Sequence, residues 1–176
     1  LRRQALTRAR RPLVLMQPKS LLRLQQAMCR LSDLSEGAFH PVIDDPAGPA
    51  KRETVTRLVL CSGKVYYDMH TAPARAQAHH VAIGRVELLY PIPTVDLADL
   101  VRRYPSLAEV VWVQEEPRNM GPRKFLLPTL RDLTPAPIAI REVSRPERAS
   151  PAEGYPAAHQ AEQARIVREA LAPAGG

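Results

Sequence analysis

The chain has 176 residues, 45% of them hydrophobic, which is enough for one domain with a core and excludes a disordered class. Its net charge is +7, its two cysteines (Cys29, Cys61) belong to no CxxC pair, and no apolar run approaches ~20 residues. A structural zinc site, a disulfide framework and a membrane span are therefore not expected, and reduced thiols point to a cytosolic or matrix compartment.

The first eleven residues carry Arg2, Arg3, Arg8, Arg10 and Arg11 without an interleaved aromatic, so they read as a solvated basic connecting segment rather than a nucleic-acid surface. The chain begins at Leu1 and shows no secretory signal, as expected of a piece of a longer polypeptide. Residues 12–16 (PLVLM) predict a first strand. Residues 20–30 have helical propensity, and residues 38–54 form a long loop containing Pro and Gly. Strands are predicted at 56–60, 81–86, 109–113 and 138–143. These runs are rich in Val, Ile and Leu and several lack strict alternation, the pattern of strands covered on both faces.

Helices are predicted between them. The first, at 64–78, contains Pro73, which should kink or end it. The second, at 96–104, follows a Thr94 N-cap and puts Leu97, Leu100, Val101 and Tyr104 on one face. The third, at 123–133, stripes Leu126, Leu127 and Leu130 together. The last, at 156–171, aligns Gln163, Ile166, Val167, Ala170 and Leu171. Strand–helix alternation at this spacing predicts a three-layer α/β fold, a mostly parallel five-stranded sheet with helices on both faces. The expected divisions are a connecting segment at 1–11, a domain at 12–172 and a flexible tail at 173–176.

Ser62-Gly63-Lys64 ends a strand and opens a helix, where backbone N–H groups favour an anion. A phosphate loop would need glycine at Leu58 and a hydroxyl at Val65, so that motif is excluded. What remains is a generic anion or nucleotide rim (Arg3, Ser62, Gly63, Lys64) or a plain tight turn. No GxGxxG is present. Glu115 and Glu116 are adjacent on an extended chain and so point apart, and Pro117 restricts Glu116; a salt-bridged interfacial role fits them better than acid–base catalysis. His40, His70, His79, His80 and His159 show neither HxH nor HExxH spacing, and no GxSxG elbow exists. No catalytic, cofactor-binding or metal-ligating set is therefore expected within the chain.

Five blocks in order resemble one family. They are RRPLVLMQPKSLLR (10–23), LVLCSGKVYYD (58–68), VAIGRVELLYPIP (81–93), WVQEEPRNMG (112–121), and RPERASPAEGY followed by HQ (145–160). Each is weakly specific alone, but together they resemble the C-terminal region of the 2-oxoglutarate dehydrogenase decarboxylating component over nearly the whole chain. The resemblance implies a transketolase C-terminal-like domain in a homodimer. It also implies thiamine diphosphate and magnesium bound by domains upstream of Leu1, with a lipoyl-bearing succinyltransferase component as partner. Under it, this fragment alone is expected to be inactive and to bind no cofactor itself. The rest of the polypeptide is expected to pack against Gln114, Glu115, Glu116 and Asn119. Nucleic acid and membrane are not expected partners, and the compartment would be the cytoplasm in a bacterium or the mitochondrial matrix in a eukaryote.

The sequence also departs from the family. Pro122 and Arg123 follow Gly121 where Ala-Trp is usual, and Pro73 interrupts the helix after SGKVYYD. Actinobacterial members bind acetyl-CoA as an activator in this domain. In alignment, Arg3 retains one such contact, whereas Ala38, Pro41, Leu88, Val95 and Asp96 stand where those relatives have Lys, Ser, Gln, Arg and Arg, so little activation is expected. Two further readings stay open. One is a module binding AMP or a CoA-type anion, which needs Lys64, Arg3 and Arg10 on one pocket. The other is a nucleic-acid binder, which needs the amino-terminal arginines to be continuous with Arg102, Arg103, Arg123 and Lys124.

Overall fold

The computed structural model describes residues 2–9 and 11–173, with the side chains of residues 2, 3 and 49 outside the described set. The predicted tail therefore falls largely outside it. The chain divides into two compact units, residues 1–40 and 41–176.

The first unit holds helix α1 (Arg2–Leu6), two 3-10 turns (Lys19–Arg23 and Gln25–Ala27) and helix α2 (Leu31–Ser35). The strand predicted at 12–16 does not form; that segment is irregular and exposed throughout, with Met16 92% exposed. Apolar sequence alone cannot hold a strand that has no neighbour for its backbone groups. The helix predicted at 20–30 is likewise replaced by 3-10 turns, because the segment has no buried face to support a longer helix.

The second unit carries the sheet. In chain order its elements are β1 (Val42–Ile43), α3 (Gly48–Lys51), β2 (Arg57–Cys61), α4 (Val65–His70), a 3-10 turn (Pro73–Ala76), β3 (Val81–Val86), α5 (Thr94–Arg102), β4 (Glu109–Pro117), α6 (Arg123–Leu133), β5 (Ala139–Arg145) and α7 (Pro156–Leu171). The strand order is β1-β3-β2-β4-β5, with β1 antiparallel to β3 and every other pairing parallel. The expected five-strand, mostly parallel α/β sheet is present, but its fifth strand comes from the stretch read as a loop. Asp45 secures that edge: its carboxylate accepts from the backbone N–H of Ile83 at 2.9 Å and from Arg75 at 2.6 Å, so a side chain continues the ladder where β1 ends. Pro73 ends α4 and starts the separate 3-10 turn, as expected from its missing N–H.

Alternate strand residues face opposite ways and divide the interior into two cores. Leu58, Leu60, Ala82, Val110 and Trp112 meet Leu97, Leu100 and Val101 of α5 and Leu126, Leu127 and Leu130 of α6. Val59, Cys61, Ile83, Val111, Val113 and Val143 meet Val65, Tyr66 and Met69 of α4 and Ile166, Ala170 and Leu171 of α7. Helix α5 packs tightly on the sheet over Gly84, where a Cβ would lie 2.8 Å from Leu100 Cδ2 and 3.0 Å from Leu60 Cδ2. Gly84→Val should therefore overpack this face and destabilise the domain by roughly 1–3 kcal/mol, read as a lower urea midpoint at unchanged slope. An unmoved midpoint would mean that α5 can lift off without cost.

Candidate functional site

In an open parallel sheet, ligands bind beyond the carboxyl ends of strands whose crossovers leave in opposite directions. Here the connection after β2 runs through α4 on one face to β3. The connection after β4 runs through α6 on the other face to β5. The switch-point crevice therefore lies between the carboxyl ends of β2 and β4.

Chain side chains fill that crevice. Gly63 takes φ +75°, a left-handed conformation that favours glycine, and turns the chain from β2 into α4. Lys64 follows. Its ammonium donates to Asp68, one helical turn on, and to Glu115 Oε1 of β4 at 3.2 Å. Gln163 of α7 donates from the same Nε2 to Asp68 Oδ2 at 2.7 Å and to Glu115 Oε1 at 2.9 Å. Burial pushes the Lys64 ammonium down, but hydrogen bonding and charge from Asp68 and Glu115 more than offset it, so its net shift is upward and it stays charged.

The network continues to β5. Arg145, 4% exposed at the end of that strand, donates to Gln163 Oε1 at 3.2 Å and lies 3.0 Å from His159 Nδ1. Arginine can only donate, so in this contact Nδ1 is the accepting nitrogen. Glu153 lies 3.8 Å from Arg145 Nη1. His159 borders two hollows. One, of about 1150 Å³, runs between α4, the 3-10 turn and α7; the other, of about 600 Å³, lies under the loop before α7.

Several residues singled out from the sequence have definite places. Lys64 stands in the crevice, but two carboxylates already hold its charge, and Ser62 and Gly63 form the turn. The side chain of Arg3 and the whole of Arg10 lie outside the described residues. Gln114 is 2% exposed and turned inward. It accepts from Trp112 Nε1 at 3.0 Å and donates to the carbonyls of Pro117 (3.1 Å) and Met120 (2.9 Å), bracing the turn from β4 into α6. Gly121 packs against this amide with φ +70°. Glu115 belongs to the network, whereas Glu116 is exposed. Asn119 exchanges two hydrogen bonds with the backbone of Arg148, tying the loops after β4 and β5 together. Arg102 is paired with Asp99, Arg103 with Asp44 at 3.3 Å and Arg123 with Glu142, so these basic groups are engaged by carboxylates one by one.

The sequence reading missed Asp68, Arg145, His159 and Gln163 as parts of one cluster. Their signal was the i,i+4 spacing of Lys64 with Asp68 and of His159 with Gln163, which stacks each pair on one helix face. Among the described residues of this cluster, no acid–base pair is set beside a nucleophile. Cys61 is fully buried, its thiol pushed well up by burial. Among the described residues, no group of three or more His, Cys, Asp or Glu side chains is arranged to hold a metal ion, and no helix is long and apolar enough to cross a membrane.

The family model described as 2-oxoglutarate dehydrogenase C-terminal matches residues 28–171. The chain belongs to that family. Family members named 2-oxoglutarate dehydrogenase E1 component include one from Exiguobacterium sp., 42% identical over 163 residues (92% of this chain, 17% of the relative). The proteins of the same name from Bacillus velezensis and Bacillus subtilis are each 43% identical over 176 residues, covering 97% of this chain and 19% of the relative. The chain thus spans less than a fifth of the curated relatives it matches. In this 2-oxoglutarate dehydrogenase C-terminal domain the strand-end crevice is closed by its own side chains.

Proposed function

We propose that this chain is the C-terminal, structural and dimer-supporting domain of a thiamine diphosphate-dependent 2-oxoglutarate dehydrogenase E1 component. In that enzyme 2-oxoglutarate is decarboxylated and the succinyl group passes to a lipoyl arm, with the reacting groups supplied by the rest of the polypeptide. The observation that carries this reading is the filled crevice: where a sheet of this topology takes a ligand, Lys64, Asp68, Glu115 and Gln163 bind one another instead. These residues do not fit a magnesium diphosphate. The one lysine in the crevice is already paired with carboxylates, and among the described residues no metal-holding group is formed.

Two features suit a domain that packs on others. In the first unit Val14, Met16, Leu22, Met28, Leu31 and Leu34 are all exposed, an amount of apolar surface that favours coverage by the remainder of the protein. In the second unit Glu116, at the carboxyl end of β4, and Asn119, in the turn that follows, form the outward part of the interface, while Gln114 and Glu115 brace it from within. The relatives are bacterial proteins, which favours the cytoplasm as the working compartment.

Glu116→Lys in the full-length enzyme tests the interface without touching the Lys64 network. The expected result is a weaker dimer in sedimentation velocity, with turnover falling alongside it. A variant with unchanged dimerisation and turnover would remove Glu116 from the interface.

A further inference from the structure

A separate cavity lies on the α7 face of the sheet, toward the amino ends of the strands. Arginines from three elements line it: Arg57 of β2, Arg141 of β5 and Arg168 of α7, with Val111, Val143 and Ala172 between them, enclosing about 360 Å³. Glu142 and Glu169 also border it.

The carboxylates here are already committed. Glu109 holds Arg57 at 2.7 Å and stands 3.6 Å from Arg141. Glu142 is taken by Arg118 at 2.7 Å and by Arg123. Glu169 is taken by Arg165 at 3.0 Å, which also holds Glu162 at 2.8 Å. Of the three lining arginines, Arg57 and Arg141 share Glu109, while Glu142 and Glu169 are held by arginines that do not line the cavity, so Arg168 is left without a carboxylate partner among the described residues. The Arg168 guanidinium makes no hydrogen bond or ion pair among the described residues. The carboxyl end of α7 would oppose an anion through its dipole, but Arg57 donates to the carbonyls of Glu169 and Ala170 and His80 lies 3.2 Å from that of Ala172, which offsets the field.

We propose that this cavity binds a phosphate dianion, either free or as the head of a small phosphate monoester. Guanidinium groups arriving from three elements suit a tetrahedral acceptor with several oxygens better than a planar carboxylate with two. Arg168 supplies the unengaged fork and Arg141, half exposed and held only at 3.6 Å, the second contact. Arg57 stays with Glu109 and the helix carbonyls and acts through its charge.

Calorimetric titration of the full-length protein tests this, using inorganic phosphate in one arm and glycerol 3-phosphate in the other, with sodium chloride at matched ionic strength as control. Saturable one-to-one binding is expected, weakened about ten-fold or more by Arg168→Ala and by Arg141→Ala and partly retained in Arg168→Lys. Both arginines are exposed, so unchanged circular dichroism is expected in each variant. Tighter binding of phosphate identifies the free ion as the ligand, and tighter binding of glycerol 3-phosphate identifies a monoester. No saturable heat in either arm, or alanine variants that bind as the parent does, overturns the proposal.

Discussion

Replacing Arg57 with alanine is expected to destabilise the domain by about 3–5 kcal/mol, because it leaves a buried carboxylate without its main partner. Arg57 is 3% exposed and Glu109 4% exposed. The guanidinium does two things at once. Its Nε donates to Glu109 at 2.7 Å, and its two remaining nitrogens donate to the carbonyls of Glu169, Ala170 and Pro173, closing the end of α7. Without it, Glu109 keeps only Arg141 at 3.6 Å, and the last turn of α7 loses its donor. The measurement is a thermal melt, with the midpoint falling on the order of 10 °C. A double variant, Arg57→Met with Glu109→Met, separates the two roles. It should recover the part due to the orphaned carboxylate but not the part due to the helix end. A single variant that melts with the parent would show that water reaches Glu109 freely.

Trp112→Ala should cost a comparable amount, about 3–5 kcal/mol, through the cavity it opens. Trp112 is 1% exposed, in the centre of the sheet between β2 and β5, and packs with the α5 and α6 core. Its Nε1–H also fixes the Gln114 carboxamide, whose Nε2 holds the carbonyls of the β4–α6 turn. Trp112→Phe keeps most of the volume and removes only that donor, so it should lose roughly 1 kcal/mol. Chemical denaturation of the two variants beside the parent orders them. Equal losses would mean that the hydrogen bond rather than the volume carries the effect.

Most of the second unit was legible because its elements are ones whose sequence and burial agree. The runs at 81–86 and 109–113 are apolar on both faces and are central strands; Arg123–Leu133 and Pro156–Leu171 carry apolar stripes and form helices with the expected limits. The failures share one cause. PLVLM has strand composition but no pairing partner in its unit, whereas Val42–Ile43 has only two strand residues and pairs with β3 because Asp44 and Asp45 fasten its end. Pairing is a tertiary event, and local composition does not report it. The same holds for the crevice. Lys64, Gln114 and Glu115 could be picked out as strand-end residues, but their partners come from elsewhere in the chain: Gln163 is separated from Asp68 by 95 positions. Whether a strand-end lysine faces a ligand or two carboxylates depends on how α7 lies across the sheet.

The position of α7 has a consequence for biosynthesis. It alone brings Ile166, Ala170 and Leu171 to the face formed by Val59, Val111, Val113 and Val143, and it supplies the acceptors for Arg57. A ribosome reaches residues 156–171 only after all five strands have been made. Until then the nascent sheet can be sheltered on one side by α5 and α6 while much of the opposite side stays bare and available to holding chaperones or to neighbouring nascent chains. Translation pauses within the last codons of this domain would prolong that exposure, whereas pauses after α7 would not.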